Sequence, residues 1–172
     1  MPRLFFALWP DGPARDALAG LAKRTAAEAW GRPVPAANLH LTLAFLGEVA
    51  DERVPVALAV AEGIRAGAFD LALDRTGAFR RAGVAWAGPS TMPAELVRLQ
   101  SALDSGLRAA GFALDERPFA PHLTLARKVA KADIGSVIAP VGWRVRRFVL
   151  VRSLRDKGAY EELAGWELGT GN

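Results

Sequence analysis

Hydrophobic positions along the chain switch between two periods, and the switches outline the fold. Apolar residues run almost unbroken through residues 4–9, a short strand, and between 13 and 30 Leu18, Leu21, Ala22 and Ala26 recur at the spacing of one helix face. Residues 39–46 return to a strand pattern closed by Gly47. The theme then repeats. A helix is expected over 51–66 with Asp51 as its N-cap, then strands 69–74 and 84–87 pairing as a hairpin, then a helix over 93–110 stopped by Gly111. A short strand at 112–114, a strand at 122–126 and two closing strands at 144–154 and 160–168 complete the pattern, while 135–142 reads as a loop. Pro118 and Pro121 keep the approach to the strand at 122–126 extended. No stretch rich in Gly, Ser or Pro marks a linker, so residues 1–172 read as a single bilobal domain.

Two of these strands carry the same five residues, His40-Leu41-Thr42-Leu43-Ala44 and His122-Leu123-Thr124-Leu125-Ala126. In a strand, alternate side chains share a face, so each copy sets its His and Thr on one side and its leucines on the other. A lone His-x-Thr on an apolar strand is ordinarily a half-buried, hydrogen-bonded histidine. Strand propensity explains a recurring Leu-Thr-Leu, but not why the only two histidines in the chain precede it. Imidazole titrates nearest neutrality, so the pair forms a candidate site in which one ring gives a proton and the other takes one. The motif strand follows a helix in both halves, which implies an internal duplication. The expected fold is α+β: two pseudo-symmetric βαβ-containing lobes with central antiparallel sheets, helices outside, the motif strands adjacent at the centre and the active-site cleft between the lobes.

Composition narrows the chemistry. The chain has 172 residues, 51% of them hydrophobic, enough for a full core. Without cysteine there is no disulfide, thiolate nucleophile or cysteine-based zinc site, and no carboxylate adjoins either motif to complete a metal site. No metal or cofactor is therefore expected. The apolar start is cut by Pro10 and Asp11, and no membrane-length stretch follows, so a cytoplasmic protein without membrane contact is expected. Nothing in the pattern suggests an association seam, which makes a monomer without an obligate protein partner the expectation. Twenty-two basic residues face 18 acidic ones, and the excess is mostly arginine, whose planar fork suits phosphate. The densest group, Arg144, Arg146, Arg147, Arg152 and Arg155, reads as a solvated strand face, with tracking of phosphates as the alternative.

The chain resembles the 2H phosphoesterases, and within them the RNA 2′,3′-cyclic phosphodiesterases, also called 2′-5′ RNA ligases. The resemblance rests on Arg3-Leu4-Phe5-Phe6-Ala7, on Gly31-Arg32-Pro33-Val34, on the run from Asn38 to Val49 and on Arg117-Pro118-Phe119 with the run from Pro121 to Arg127. It implies hydrolysis of 2′,3′-cyclic phosphate ends of RNA to 2′-phosphates, with 2′-5′ ligation as the reverse reaction. It also implies His40 as proton donor to the leaving oxygen and His122 as proton acceptor from water. The residues alone leave those two roles open, because the motifs are identical. Thr42 and Thr124 are candidate donors to the phosphate oxygens, and Arg127 a candidate charged donor. Phe6, Phe45, Trp86 and Phe119 are candidates for stacking on a base, with Phe119 foremost because it lies just before His122. Two other readings stay open: a cyclic phosphodiesterase of a small nucleotide derivative, such as an ADP-ribose cyclic phosphate, and an RNA-binding or ligase protein whose hydrolysis is incidental.

Overall fold

A computed structural model describes residues 1–131 and 133–169. In chain order the elements are β1 (Arg3–Leu8), α1 (Gly12–Ala29), β2 (Arg32–Pro33), β3 (Leu41–Glu48), α2 (Val54–Glu62), β4 (Phe69–Phe79), β5 (Val84–Gly88), α3 (Ala94–Ala109), β6 (Leu123–Arg127), β7 (Ser136–Val145), β8 (Arg147–Leu154) and β9 (Ala159–Glu167).

Eight strands form one antiparallel path in the order β7-β4-β5-β6-β3-β1-β8-β9, and β2 pairs beside β6. The expected α+β fold is present, with one refinement: the two halves are not separate sheets but one sheet joined at its middle pair. Each half has four strands running outward from a motif strand, β6-β5-β4-β7 on one side and β3-β1-β8-β9 on the other. The halves meet through a single residue pair, Leu41 opposite Leu123.

All three helices contribute to one hydrophobic core, which gathers Leu18 and Leu21 of α1, Ala57 and Ala61 of α2, and Leu96, Leu99, Leu103 and Leu107 of α3 against Leu4, Phe6, Leu8, Leu41 and Leu123 of the sheet. The four α3 leucines recur at helical spacing and are completely shielded from solvent. Helix α1 starts where the Asp11 carboxylate accepts from Ala14 N at 2.9 Å, has Pro13 in its first turn, and ends at Trp30 in the left-handed region, φ 57°. It follows β1 in the chain but packs against β5, β6 and β7, while α2 and α3 pack toward β3 and β9. Each half of the sheet is therefore covered by helix from outside its own run of chain.

Several sequence expectations change. Residues Asp51–Arg53 form a 3₁₀ turn in which Asp51 caps nothing, and the helix starts at Val54 because Pro55, lacking an N–H, fits a first helical turn. The expected helix end at 66 moves back to Glu62, with Gly63 as its cap. Segment 135–142 is not a loop: it forms most of β7, where Pro140 is tolerated because this is the outermost strand beyond β4. The expected strand 144–154 is broken at Arg146, because β7 pairs with β4 in one half and β8 with β1 in the other. Residues 112–114 join no ladder; Phe112 lies instead under the Arg53 guanidinium, 4.5 Å from the ring centroid.

Candidate active site

The Leu41–Leu123 pair fixes the site. Both side chains are completely buried in the main core, so the residues flanking them point away from the helices. Antiparallel register through that pair sets His40 across from Thr124 and Thr42 across from His122, with the two imidazoles on the diagonal. All four are half-buried.

A bulge occurs at the same place in both copies. The β1–β3 register slips between Ala44 and Thr42, and the β5–β6 register slips between Ala126 and Thr124, so the extra residue is Leu43 in one motif and Leu125 in the other. A bulge inverts the alternation beyond it. Phe45 and Arg127, five residues after their histidines, would face the core side by strict alternation. Phe45 instead lies opposite Phe5 on the His40 face. Arg127 follows Ala126, which is buried with Ala85 and Ala26 on the helix side, and so joins the His122 face.

Each imidazole is held by the carbonyl two residues before it: His40 Nδ1 lies 2.7 Å from Asn38 O, and His122 Nδ1 lies 2.8 Å from Ala120 O. A carbonyl can only accept, so Nδ1 carries hydrogen in both rings and Nε2 is left to exchange protons. The two surroundings then differ. His40 stacks on Trp9 (centroids 4.8 Å, planes 18° apart) and on Phe5 (4.9 Å, 28°), and meets Tyr160 edge-on at 5.1 Å. His122 has the edge-on contact of Phe79 at 5.0 Å. Burial pushes His40 down to about 4, the Arg127 and His122 charges push the same way, and the Asn38 carbonyl opposes them. At pH 7 in this structure His40 is neutral.

Residues 10–157 match the 2′-5′ RNA ligase superfamily. The chain belongs to that superfamily. Among its relatives, an Escherichia coli (strain K12) protein named RNA 2′,3′-cyclic phosphodiesterase is 37% identical, the match covering 96% of both chains. A protein of the same name from Thermus thermophilus is 34% identical over 91% of this chain and 84% of its own. The crystal structure of E. coli LigT complexed with 3′-AMP superposes with a TM-score of 0.84, at 36% identity and covering 98% of this chain and 99% of that one.

In this superfamily member the remaining expected contacts divide. Phe6 is fully buried, and Phe119, the foremost stacking candidate, is half-buried with its ring against the main core. Phe45 is 45% exposed with the Arg3 guanidinium 5.0 Å from its centroid. Trp86 stands opposite Thr124, between Phe79 at 5.7 Å and the Arg75 guanidinium at 5.7 Å. Sequence reading misses Phe5, Trp9, Asn38, Phe79 and Tyr160. Trp9 and Phe5 differ by four positions in the apolar start of the chain, where nothing distinguishes a ring packed on a histidine from a core ring.

Most of the basic cluster is a solvated face, as expected: Arg144 pairs with Asp70 at 3.5 Å, Arg147 with Glu162 at 2.6 Å and Arg152 with Glu161. Arg155 stands apart from these pairs. Among the described residues no three His, Asp or Glu side chains converge as metal ligands, and no helix is long and apolar enough to cross a membrane.

Proposed function

We propose that this protein is an RNA 2′,3′-cyclic phosphodiesterase, a hydrolase that opens the cyclic phosphate at an RNA end to leave a 2′-phosphate. The observation that carries the reading is the pair of His-x-Thr motifs on adjacent central strands, each with its Nδ1 hydrogen occupied and its Nε2 available on one face. Opening the ring requires a proton to leave water on one side of phosphorus and another to reach the 3′-oxygen on the opposite side. In the proposed mechanism His122 Nε2 takes the proton of the attacking water as the new P–O bond forms. The P–O3′ bond breaks, and the 3′-oxygen takes the proton of His40 Nε2. The Thr42 and Thr124 hydroxyls donate to the non-bridging oxygens, and Arg127 adds a charged donor where negative charge develops. No metal or cofactor has a role in this scheme. The 2′-5′ ligation of RNA ends is the same ring opening with an RNA 5′-hydroxyl in place of water: the new P–O bond forms, P–O3′ breaks, and the high concentration of water favours hydrolysis. A monomer acting in the cytoplasm completes the proposal.

One observation favours the reverse assignment of the two histidines. With a pKa near 4, His40 stands ready to accept a proton and must gain one before it can donate. A bound phosphodiester anion acts in the opposite direction to burial, since it offsets the Arg127 charge and stabilises imidazolium.

The test is product analysis. RNA ending in a 2′,3′-cyclic phosphate should be converted to a 2′-phosphate end, distinguishable by ³¹P NMR; a 3′-phosphate product, or no turnover, contradicts the proposal.

A further inference from the structure

A cleft of about 300 Å³ is lined by Arg32, Asn38, Arg127 and Lys128, by Arg155 of the β8–β9 connection and by Tyr160 of β9. Its volume lies at the lower end of the ~300–1,000 Å³ typical of small-ligand sites. Tyr160 is the residue that meets the His40 ring edge-on, and Arg127 is a charge that lowers His40, so the cleft continues directly from the proposed site of chemistry.

The charges of this cleft are arranged differently from those elsewhere. Among the described residues no acidic side chain lines it. Arg144, Arg147 and Arg152, close by in sequence, all have carboxylate partners, whereas among the described residues no carboxylate lies within 4.0 Å of Arg32, Arg127, Lys128 or Arg155. Two of the four cations are placed directly against each other: β2 pairs with β6 so that Arg32 lies opposite Arg127. Like charges facing across a ladder destabilise it. The backbone is nevertheless shaped for this approach, since a Cβ at Gly31 would stand 2.8 Å from Arg127 O. An anion between the two guanidinium groups turns the repulsion into two charge-assisted contacts.

We propose that this cleft is a second phosphate subsite, which holds a phosphate one unit away from the cyclic phosphate being opened. The inference rests on the phosphodiesterase reading for its direction, with Arg127 shared between the reacting phosphate and the next one. The second phosphate has two chemical sources. It is either the next phosphodiester of an RNA strand or the pyrophosphate of a nucleotide derivative. Arg155 and Lys128, both in the lining of the cleft, supply the charges that hold it, and a single cyclic mononucleotide leaves them unused.

The experiment compares wild type with the double variant Lys128→Ala/Arg155→Ala, which leaves the histidines, threonines and Arg127 intact. kcat/KM is measured on a 2′,3′-cyclic mononucleotide, a tetranucleotide with a cyclic-phosphate end, and an ADP-ribose cyclic phosphate. The double variant should lose about tenfold on whichever substrate supplies the second phosphate, and stay within about twofold of wild type on the mononucleotide. Loss confined to the tetranucleotide identifies RNA as the source; loss confined to the ADP-ribose derivative identifies the pyrophosphate. In parallel, fluorescence anisotropy of a labelled tetranucleotide and of a labelled ADP-ribose derivative, both with 2′-phosphate ends, reads the subsite without any turnover. The variant's salt slope on the ligand that supplies the phosphate should be shallower by about 1.4, from roughly 0.7 for each lost contact to a single strand. Equal affinity and equal salt dependence of the two proteins for both ligands would overturn the subsite, even with mononucleotide hydrolysis at the wild-type rate. Absence of hydrolysis on every cyclic phosphate, with the slope difference intact, would overturn the phosphodiesterase reading and leave the phosphate subsite standing.

Discussion

Trp9 both stacks on His40, at 4.8 Å between centroids, and donates its indole N–H to Ala37 O at 3.0 Å, one residue before the carbonyl that holds the His40 Nδ1 hydrogen. The indole therefore buries the ring and pins the turn that orients it. Asn38 adds a second tie, from its side-chain amide to Gly158 O at 2.9 Å. Replacing Trp9 by Ala should admit water to His40 and raise its pKa from about 4 toward the ordinary 6.5, as followed by NMR titration of the His40 ring protons. Trp9→Phe should keep most of the lowered value, because the stack survives while the hydrogen bond is lost. An unchanged titration in Trp9→Ala would show that burial by this ring is not the cause.

The lowered His40 pKa also predicts how stability depends on pH. Below pH 6.5 the unfolded chain binds a proton at His40 that the folded chain refuses until about pH 4, so acid favours unfolding across that window; above 6.5 the ring is neutral in both states. The expected loss between pH 7 and pH 4.5 is about 2 kcal/mol. His40→Gln should abolish it, read as urea midpoints at the two pH values. Asp115, held down to about 2 by the Arg117 guanidinium and backbone N–H, and Asp74, lowered by its hydrogen bonds to Ser90, lose their contributions below the ordinary 3.8, outside the histidine window. A wild-type midpoint that falls no further than that of His40→Gln would contradict the account.

Much of this site is legible in the sequence because it is written in side chains that recur. Two identical pentapeptides, with the only histidines in the chain, supply the four central residues, and their antiparallel adjacency follows from the implied duplication. Strict alternation would turn Arg127 away from the His122 face; the bulge at Leu125 that turns it back is a property of strand pairing, which local sequence does not display. Phe119 is suggested by its proximity to His122 along the chain; its half-buried ring packs against the main core, a contact that spacing along the chain does not display. The strand β7 escapes sequence reading because its exposed residues, Val137 at 89% among them, and Pro140 carry no core-facing alternation.

Gly77 is the position where backbone shape most directly supports the His122 side. A Cβ there would lie 2.4 Å from the Trp86 ring, which crosses over it to reach Phe79 and stand opposite Thr124. Gly77→Ala should displace Trp86, cost about 1–3 kcal/mol of stability and, through the Phe79 edge contact, disturb His122. Thermal unfolding and the KM for a cyclic phosphate should both change. A variant with wild-type melting temperature and kinetics would show that the ring has room to move.

Turnover should not depend on divalent metal. The proposed proton transfers use two imidazoles, and charge on phosphate is met by hydroxyls and Arg127. Hydrolysis of a 2′,3′-cyclic nucleotide should be unchanged by excess EDTA; loss of activity restored by adding back a divalent ion would replace this scheme with a metal-assisted one.

The central claim, that the two motifs make one site, is tested most directly by a double-mutant cycle on turnover of a 2′,3′-cyclic phosphate, with folding of each variant checked by thermal unfolding. His40→Ala and His122→Ala should each lower kcat by about 10²-fold or more, and the double variant should be little worse than the poorer single one, because either loss already interrupts the same proton circuit. Near-wild-type turnover by either folded single variant, or losses that multiply in the double variant, would contradict a shared site.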